Sequence, residues 1–247
     1  MMESEMTKQE WKIGDCLDLI KDIPDNSIDL VVTDPPYNTN YKTNHRKSNN
    51  LKNNLIVEKE EHLFTTPIKN DENNECLIKN IVPEIHRILK QDTAFYCFCS
   101  PDTVEMFKNE INKEFNIKNI IIWVKNNWTA GDLEAQYGKQ YEMIIYANKG
   151  RRKLNGKRIQ DVWFFDRVPP TQAVHQNQKP LKLIEQILNI SSNENDMIVD
   201  TFLGSGTLLE AGLNTNRNCI GFDLSDEWVP HYKKRLMSDN SKLTDNW

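Results

Sequence analysis

No stretch of the 247 residues approaches the roughly 20 consecutive apolar side chains that a bilayer-crossing helix needs, so no membrane span is expected. The first ten residues are polar and lack the apolar run of a secretory signal, which implies a cytoplasmic address. Cysteine is scarce: Cys16, Cys76, Cys97, Cys99 and Cys219 form an odd, scattered set, as expected of reduced thiols. Cys97 and Cys99 would share one face of a strand. No second Cys or His pair stands at ligand spacing, so the reading is core thiols and no metal site. Positive charge is not in excess either, with 31 Lys and Arg against 36 Asp and Glu and a net charge of −5. A uniformly basic nucleic-acid binder is thereby excluded, although local fields are not. There is no internal repeat, no clean linker and no complete G-x-G-x-x-G, the fingerprint of nicotinamide-dependent dehydrogenases.

What is present is a rhythm of short apolar runs alternating with helical patterns, the signature of an α/β fold with a mainly parallel sheet. Strands are expected at residues 11–14, 29–33, 93–99, 118–125, 140–148, 197–201 and 219–223. Helices are expected at 75–90, 101–115, 180–191, 206–213 and 226–236; in the first, Leu77, Ile81, Ile85, Ile88 and Leu89 recur at helical spacing. Three long polar stretches, 38–74, 126–139 and 150–178, break the rhythm and read as loop insertions on a single domain spanning 1–247. Two carry acid-free basic clusters: Lys42, Arg46, Lys47 and Lys52 in the first, and a run from Lys149 through Arg151, Arg152 and Lys153 to Arg158 around the third. Of these, Lys42, Arg46, Lys47, Arg151, Arg152 and Lys153 are the candidates for phosphate contacts. Trp128 and Tyr137 in the middle loop are candidates to wedge or stack near a site, or to serve as buried anchors.

Two turns carry chemistry. Asp200-Thr201-Phe202-Leu203-Gly204-Ser205-Gly206-Thr207 follows an apolar strand and opens a helix, and its glycines let backbone approach a ligand closely. Roughly 20 residues on, Asp223 ends the next strand, where an acidic side chain suits ribose hydroxyls. Nothing basic flanks this turn to hold a pyrophosphate, which favours a nucleoside-like ligand without phosphates. The second turn, Asp34-Pro35-Pro36-Tyr37, directly follows the apolar run 30–32. Its prolines stiffen the bend and can present a carboxylate and a backbone carbonyl to one point beside an aromatic ring. Two acceptors and a stacking face suit a planar amine such as adenine or cytosine.

Together these turns resemble those of the DNA amino-methyltransferases, and their order, with the Asp-Pro-Pro-Tyr turn first and the glycine turn late, resembles the permuted beta class. The resemblance extends to Gly14-Asp15-Cys16, residues 24–29, Arg87-Ile88-Leu89-Lys90, Trp123 with Lys125, Glu142, and His175-Gln176-Asn177-Gln178-Lys179-Pro180. Two departures stand out. Thr201 replaces a customary proline, and Gln176-Asn177 replaces Pro-Thr. The resemblance implies a Rossmann-like S-adenosylmethionine-dependent fold, with a seven-stranded sheet, helices on both faces and circularly permuted order. It also implies that Asp34 and the Pro35 carbonyl bind the target amine while Tyr37 stacks on the base. Asp200 would meet the methionine amino group of the cofactor, Asp223 its ribose and Asp15 its adenine ring. Asp34, Lys179, Phe202, Gly204, Ser205, Gly206 and Thr207 would complete the cofactor site. The implied reaction is methylation of adenine N6 in double-stranded DNA with the target flipped out. A homodimer and a cognate restriction endonuclease are the implied partners. Cytosine-N4 methylation and a non-catalytic nucleic-acid-binding module are the rival readings, with RNA or protein glutamine as more distant substrates. No cysteine follows a proline, which argues against carbon-5 methylation of cytosine.

Overall fold

The computed structural model describes residues 7–37, 74–128, 134–169, 171–175 and 177–237. In chain order the strands are β1 (Gln9–Ile13), β2 (Ile28–Thr33), β3 (Leu89–Cys99), β4 (Asn116–Val124), β5 (Tyr141–Lys149), β6 (Val162–Phe164), β7 (Met197–Asp200) and β8 (Asn218–Asp223). The α-helices are α1 (Cys16–Leu19), α2 (Asn74–Ile88), α3 (Val104–Glu114), α4 (Leu181–Ser191), α5 (Thr207–Asn214) and α6 (Val229–Met237). All the strands belong to one sheet of order β1-β8-β7-β2-β3-β5-β4-β6. Pairing is parallel from β1 through to β3 and between β4 and β6, whereas β5 runs antiparallel between β3 and β4.

The sheet has eight strands where the sequence suggests seven. The extra one, β6, has three residues of which only Trp163 is buried, so no alternation is long enough to betray it. It lies inside the expected 150–178 loop.

Period-2 alternation sorts the strand residues onto two faces, each with its own core. On one face Leu30, Val32, Ala94, Tyr96, Phe98, Ile121, Trp123, Ile144 and Tyr146 pack against α4, α5 and α6. Helix α4 supplies Leu183, Ile184, Ile187 and Leu188, an apolar stripe at helical spacing. On the other face Val31, Phe95, Cys97, Cys99, Ile145 and Ala147 pack against α1, α2 and α3. Cys97 and Cys99 are therefore buried core thiols, and burial pushes the Cys99 thiol up to about 12.

This layering positions the site. Because β2 lies between β7 and β3, the chain leaves β2 and β7 side by side at the carboxyl end of the sheet. In open α/β sheets that end, outside the strand termini, is where ligands bind.

Candidate active site

At the carboxyl end of β2 the chain turns through Asp34-Pro35-Pro36-Tyr37, and the Asp34 carboxylate points into a buried cluster. Its Oδ1 accepts from the Tyr37 hydroxyl at 2.5 Å, and its Oδ2 from Lys179 Nζ at 2.5 Å. Lys179 stands just before α4, and its ammonium sits 5.1 Å from the Phe98 ring centroid and 5.5 Å from that of Tyr37. The same ammonium reaches Glu142 Oε2 at 3.2 Å, and Glu142 Oε1 accepts from Lys125 Nζ at 2.5 Å. Strand parity explains the convergence. Phe98 on β3 and Glu142 on β5 share the α4-side face, and Asp34 and Lys125 continue that face just past β2 and β4. The register opposite Trp123 brings Glu142 to this end.

Burial raises the Asp34 pKa above the usual carboxylate range, helped by Glu142 and opposed by Lys179. Burial would also raise Glu142, but Lys179 and Lys125 together hold it below its ordinary value. Burial alone would lower Lys179; Asp34 and Glu142 outweigh it and keep the ammonium charged. Tyr37 is driven well up by burial and by Asp34 beside it, so its hydroxyl is a donor at neutral pH.

The glycine turn after β7 is built differently. Gly206 occupies the left-handed region (φ 75°) as the N-cap of α5, and a Cβ there would lie 2.5 Å from the Tyr232 ring. Gly204 is also left-handed (φ 51°), and around it a Cβ would meet nothing closer than 3.9 Å, so that side of the turn is open. Asp223, at the end of β8, braces the turn by accepting from Gly204 N at 2.8 Å and Ser225 N at 2.9 Å. The Tyr232 hydroxyl donates to the Gly204 carbonyl at 2.8 Å. Asp200 is buried, and its Oδ1 accepts from Phe202 N at 2.9 Å and from the Thr33 hydroxyl at 3.0 Å. No lysine or arginine among the described residues pairs with it, and burial pushes its carboxyl up to about 7.

Thr33 joins the two turns. Its hydroxyl lies 3.0 Å from Asp200 and 2.8 Å from the Thr201 hydroxyl, one residue before Asp34. Farther round, the Thr207 hydroxyl lies 3.4 Å from the Lys179 carbonyl and 3.0 Å from the Ser205 hydroxyl. Lys179 thus serves the glycine turn through its backbone and the Asp34 turn through its side chain. Asp15 caps α1 by accepting from Leu17 N at 2.9 Å, while the adjacent Gly14 N donates to the Asp223 carbonyl at 2.8 Å. That brings Asp15 to the same end of the sheet. Burial, reinforced by Lys179, lowers His175 to about 4, and its neutral ring packs edge-on against Trp228 at 4.8 Å.

The basic candidates among the described residues do not join this site. Lys42, Arg46 and Lys47 lie outside the described residues. Arg151, Arg152 and Lys153 follow the far end of β5, because Lys149 pairs with Thr93 and Met143 with Cys99. Six strand residues at ~3.4 Å each put them roughly 20 Å from the Asp34 end. Arg152 is moreover occupied internally, donating to the Ser191 carbonyl at 3.2 Å and to Asn155 at 3.1 Å. Trp128 and Tyr137, by contrast, flank the Asp34 end between β4 and β5 and are exposed rather than buried anchors. The sequence singled out Glu142 and Lys125 only through the resemblance and without a role, and Thr33 not at all. The signal for the first was a carboxylate in phase with buried Ile144 and Tyr146.

A family model described as DNA methylase matches residues 28–234, a span that contains both turns and the ion cluster. The type II methyltransferase M2.MboI of Moraxella bovis is 31% identical over 90% of this chain and 85% of its own. The DNA adenine methyltransferase YhdJ of Escherichia coli K12 is 27% identical over 90% of this chain and 81% of its own. Among solved structures, the M1.HpyAVI–SAM complex superposes with a TM-score of 0.68 at 24% identity, covering 92% of this chain and 98% of that one. The PvuII DNA methyltransferase, cytosine-N4-specific, does so with a TM-score of 0.72 at 17% identity, covering 98% and 89%. Two turns stitched by one hydroxyl, on a sheet shared with such proteins and within a match of that extent, place this chain in the DNA methylase family.

Proposed function

We propose that the chain transfers a methyl group from S-adenosylmethionine to the N6 amino group of adenine in DNA, the target nucleotide being flipped out of the duplex. The observation that carries this reading is the Thr33 bridge, which sets an amine-binding carboxylate beside a turn able to hold a cationic nucleoside.

The residues fit the cofactor. Asp200 is a buried carboxylate with no cationic partner among the described residues, suited to an ammonium group. Gly204 leaves space where a ligand would lie, and Asp223 stands at the β8 end for ribose hydroxyls. When bound, S-adenosylmethionine supplies an electrophilic methyl group on a sulfonium. Asp15, Phe202, Ser205, Gly206, Thr207 and the Lys179 backbone complete the cradle.

The amino group of adenine is a poor nucleophile because its lone pair is delocalised into the ring. Hydrogen bonds from its two N–H groups to Asp34 and to the Pro35 carbonyl favour a pyramidal nitrogen and free that lone pair. Tyr37 stacks on the base and orients it. The chain's contribution is thus positioning and fixed electrostatics, with no covalent enzyme intermediate. Unstacking the target costs a few kcal/mol, and exposed Trp128 and Tyr137 are placed to offset part of it.

Adenine is favoured over cytosine by the carboxylate at position 34 and by the named adenine specificity of YhdJ. The fold does not discriminate, since the PvuII enzyme shares it. The chain order, β2 turn before β7 turn, supports the permuted arrangement. The type II names of the relatives support a restriction-modification setting with a cognate endonuclease, and a homodimer is part of the same reading. No helix among the described residues is long and apolar enough to cross a membrane, in keeping with work on DNA in the cytoplasm. The test is incubation with tritiated S-adenosylmethionine and genomic DNA from a methylation-deficient host, followed by nucleoside mass spectrometry. N6-methyladenine is expected; N4-methylcytosine would establish the rival reading, and no incorporation would leave a binding module.

A further inference from the structure

We propose that Glu142 is a positioning residue for methyl transfer, the second counter-ion onto which Lys179 withdraws when a target amine takes its place on Asp34. The inference rests on the amino-methyltransferase reading above and deepens it.

Both oxygens of Asp34 are already engaged, Oδ1 by the Tyr37 hydroxyl and Oδ2 by Lys179, each at 2.5 Å. Each oxygen can accept a second donor, but an incoming amino group must then crowd against the hydroxyl or the ammonium at 2.5 Å, so room is made when one of them moves aside. The Lys179 side chain is only 7% exposed, and a buried ammonium stripped of its partner is strongly disfavoured. Glu142 Oε2, at 3.2 Å, is the carboxylate to which it can turn without crossing an apolar gap. The same oxygen lies 3.3 Å from the Tyr37 hydroxyl, so one carboxylate offers a fallback to both groups that occupy Asp34. Glu142 is itself held by Lys125 at 2.5 Å, and that ammonium rests 5.0 Å from the Trp123 ring centroid. Asp34 and Glu142 balance Lys125 and Lys179, so the exchange moves a proton donor between two acceptors without changing the charge of the cluster.

A purely structural Glu142 would affect folding and leave the cost of losing the Lys179 ammonium independent of residue 142. Asp34 faces Lys179, Tyr37 and Glu142 directly, with Asp200, Cys97 and Cys99 in its field. Glu142 contributes to raising it, so removing that charge must lower it. Glu142→Gln keeps size and removes charge. With tritiated S-adenosylmethionine and methylation-deficient genomic DNA, its kcat is expected to fall about 10²-fold, the cost of a misplaced reacting group. Calorimetric affinity for S-adenosylmethionine should stay within about threefold, since the glycine turn is untouched. The acid limb of the kcat–pH profile should move to lower pH. Combined with Lys179→Met, the two losses should be less than additive, because no ammonium remains to be parked. If Glu142→Gln fails to fold, Glu142→Asp keeps the charge; it should retain the wild-type acid limb at reduced kcat, and a shifted limb would overturn the proposal. Wild-type turnover with an unmoved limb in Glu142→Gln would also sink it, as would additive losses in the double variant. Wild-type protein that transfers no tritium would instead refute the underlying methyltransferase reading.

Discussion

The turn after β2 and the turn after β7 leave neighbouring strands at one end of the sheet, yet they manage buried charge in opposite ways. Asp34 enters its pocket with Lys179 and Glu142 around it, a closed set of ion pairs. Asp200, one hydroxyl away, receives only neutral donors among the described residues, and burial leaves its carboxyl poised at about 7. Under the proposed function the contrast matches each turn to its ligand: the carboxylate without a lysine or arginine among the described residues would receive the cationic cofactor, and the one already holding a lysine the neutral amine. Buried carboxylates held in unlike environments commonly mark a division of roles.

The sharpest way to break this comparison is Asp34→Ala. Transfer should fall about 10³-fold or more, ~4 kcal/mol of transition-state stabilisation, with cofactor affinity within about threefold. Near-normal turnover in the tritium assay would remove Asp34 from the chemistry. Next in size, Asp223→Ala should weaken S-adenosylmethionine binding about 10- to 100-fold, since hydrogen bonds to a charged group contribute ~1.5–3 kcal/mol. Unchanged calorimetric affinity would refute its ribose role.

Asp200 predicts a pH dependence that the Asp34 turn should not impose on cofactor binding. Its carboxylate is the form that pairs with an ammonium, and in the free protein it predominates only above about 7. Cofactor Kd should therefore rise as pH falls below that value, approaching about tenfold per pH unit. Asp200→Asn should flatten the curve in the same titration. For the free fold the sign is opposite. A carboxyl raised from an ordinary value of 3.8 to about 7 favours the protonated folded state, and that contribution is lost as pH climbs through 7.

Gly206→Val should lower the melting temperature by several degrees. It forces a β-branched residue into a left-handed conformation and drives its Cβ toward the Tyr232 ring, costing ~1–3 kcal/mol. Thermal melts monitored by circular dichroism would show it. The smallest effect belongs to Arg151→Ala with Lys153→Ala. At the far end of the sheet these should change initial methylation rates by no more than about twofold. A large loss would mean that DNA wraps to that end.

Much of this was legible in advance because strand ends and turn chemistry leave strong local marks. Asp34-Pro35-Pro36-Tyr37 and the glycine turn need only contiguous residues, and both stand at the strand ends expected. The α4 stripe and the alternations on β3 and β5 were visible for the same reason. What the sequence hid depends on register. Nothing local says that Glu142 lies opposite Trp123, or that the antiparallel run of β5 carries the basic cluster away from the site while bringing Glu142 to it. A charge run measures local composition; its distance from a site is a property of strand direction. Likewise β6 announces itself only through Trp163 meeting its partner strand.

The irregularity in β4 carries a consequence for how this chain can vary. Between Ile117 and Asn119 the pairing with β5 slips, leaving Lys118 as a spare residue near the far end. That spare residue sets which side of the ribbon every later β4 side chain occupies. An odd-numbered insertion or deletion between it and Lys125 would turn Trp123 outward and swing the lysine that anchors Glu142 to the opposite side. Length drift in that strand is tolerable only in steps of two, a constraint imposed by a kink far from any reacting atom.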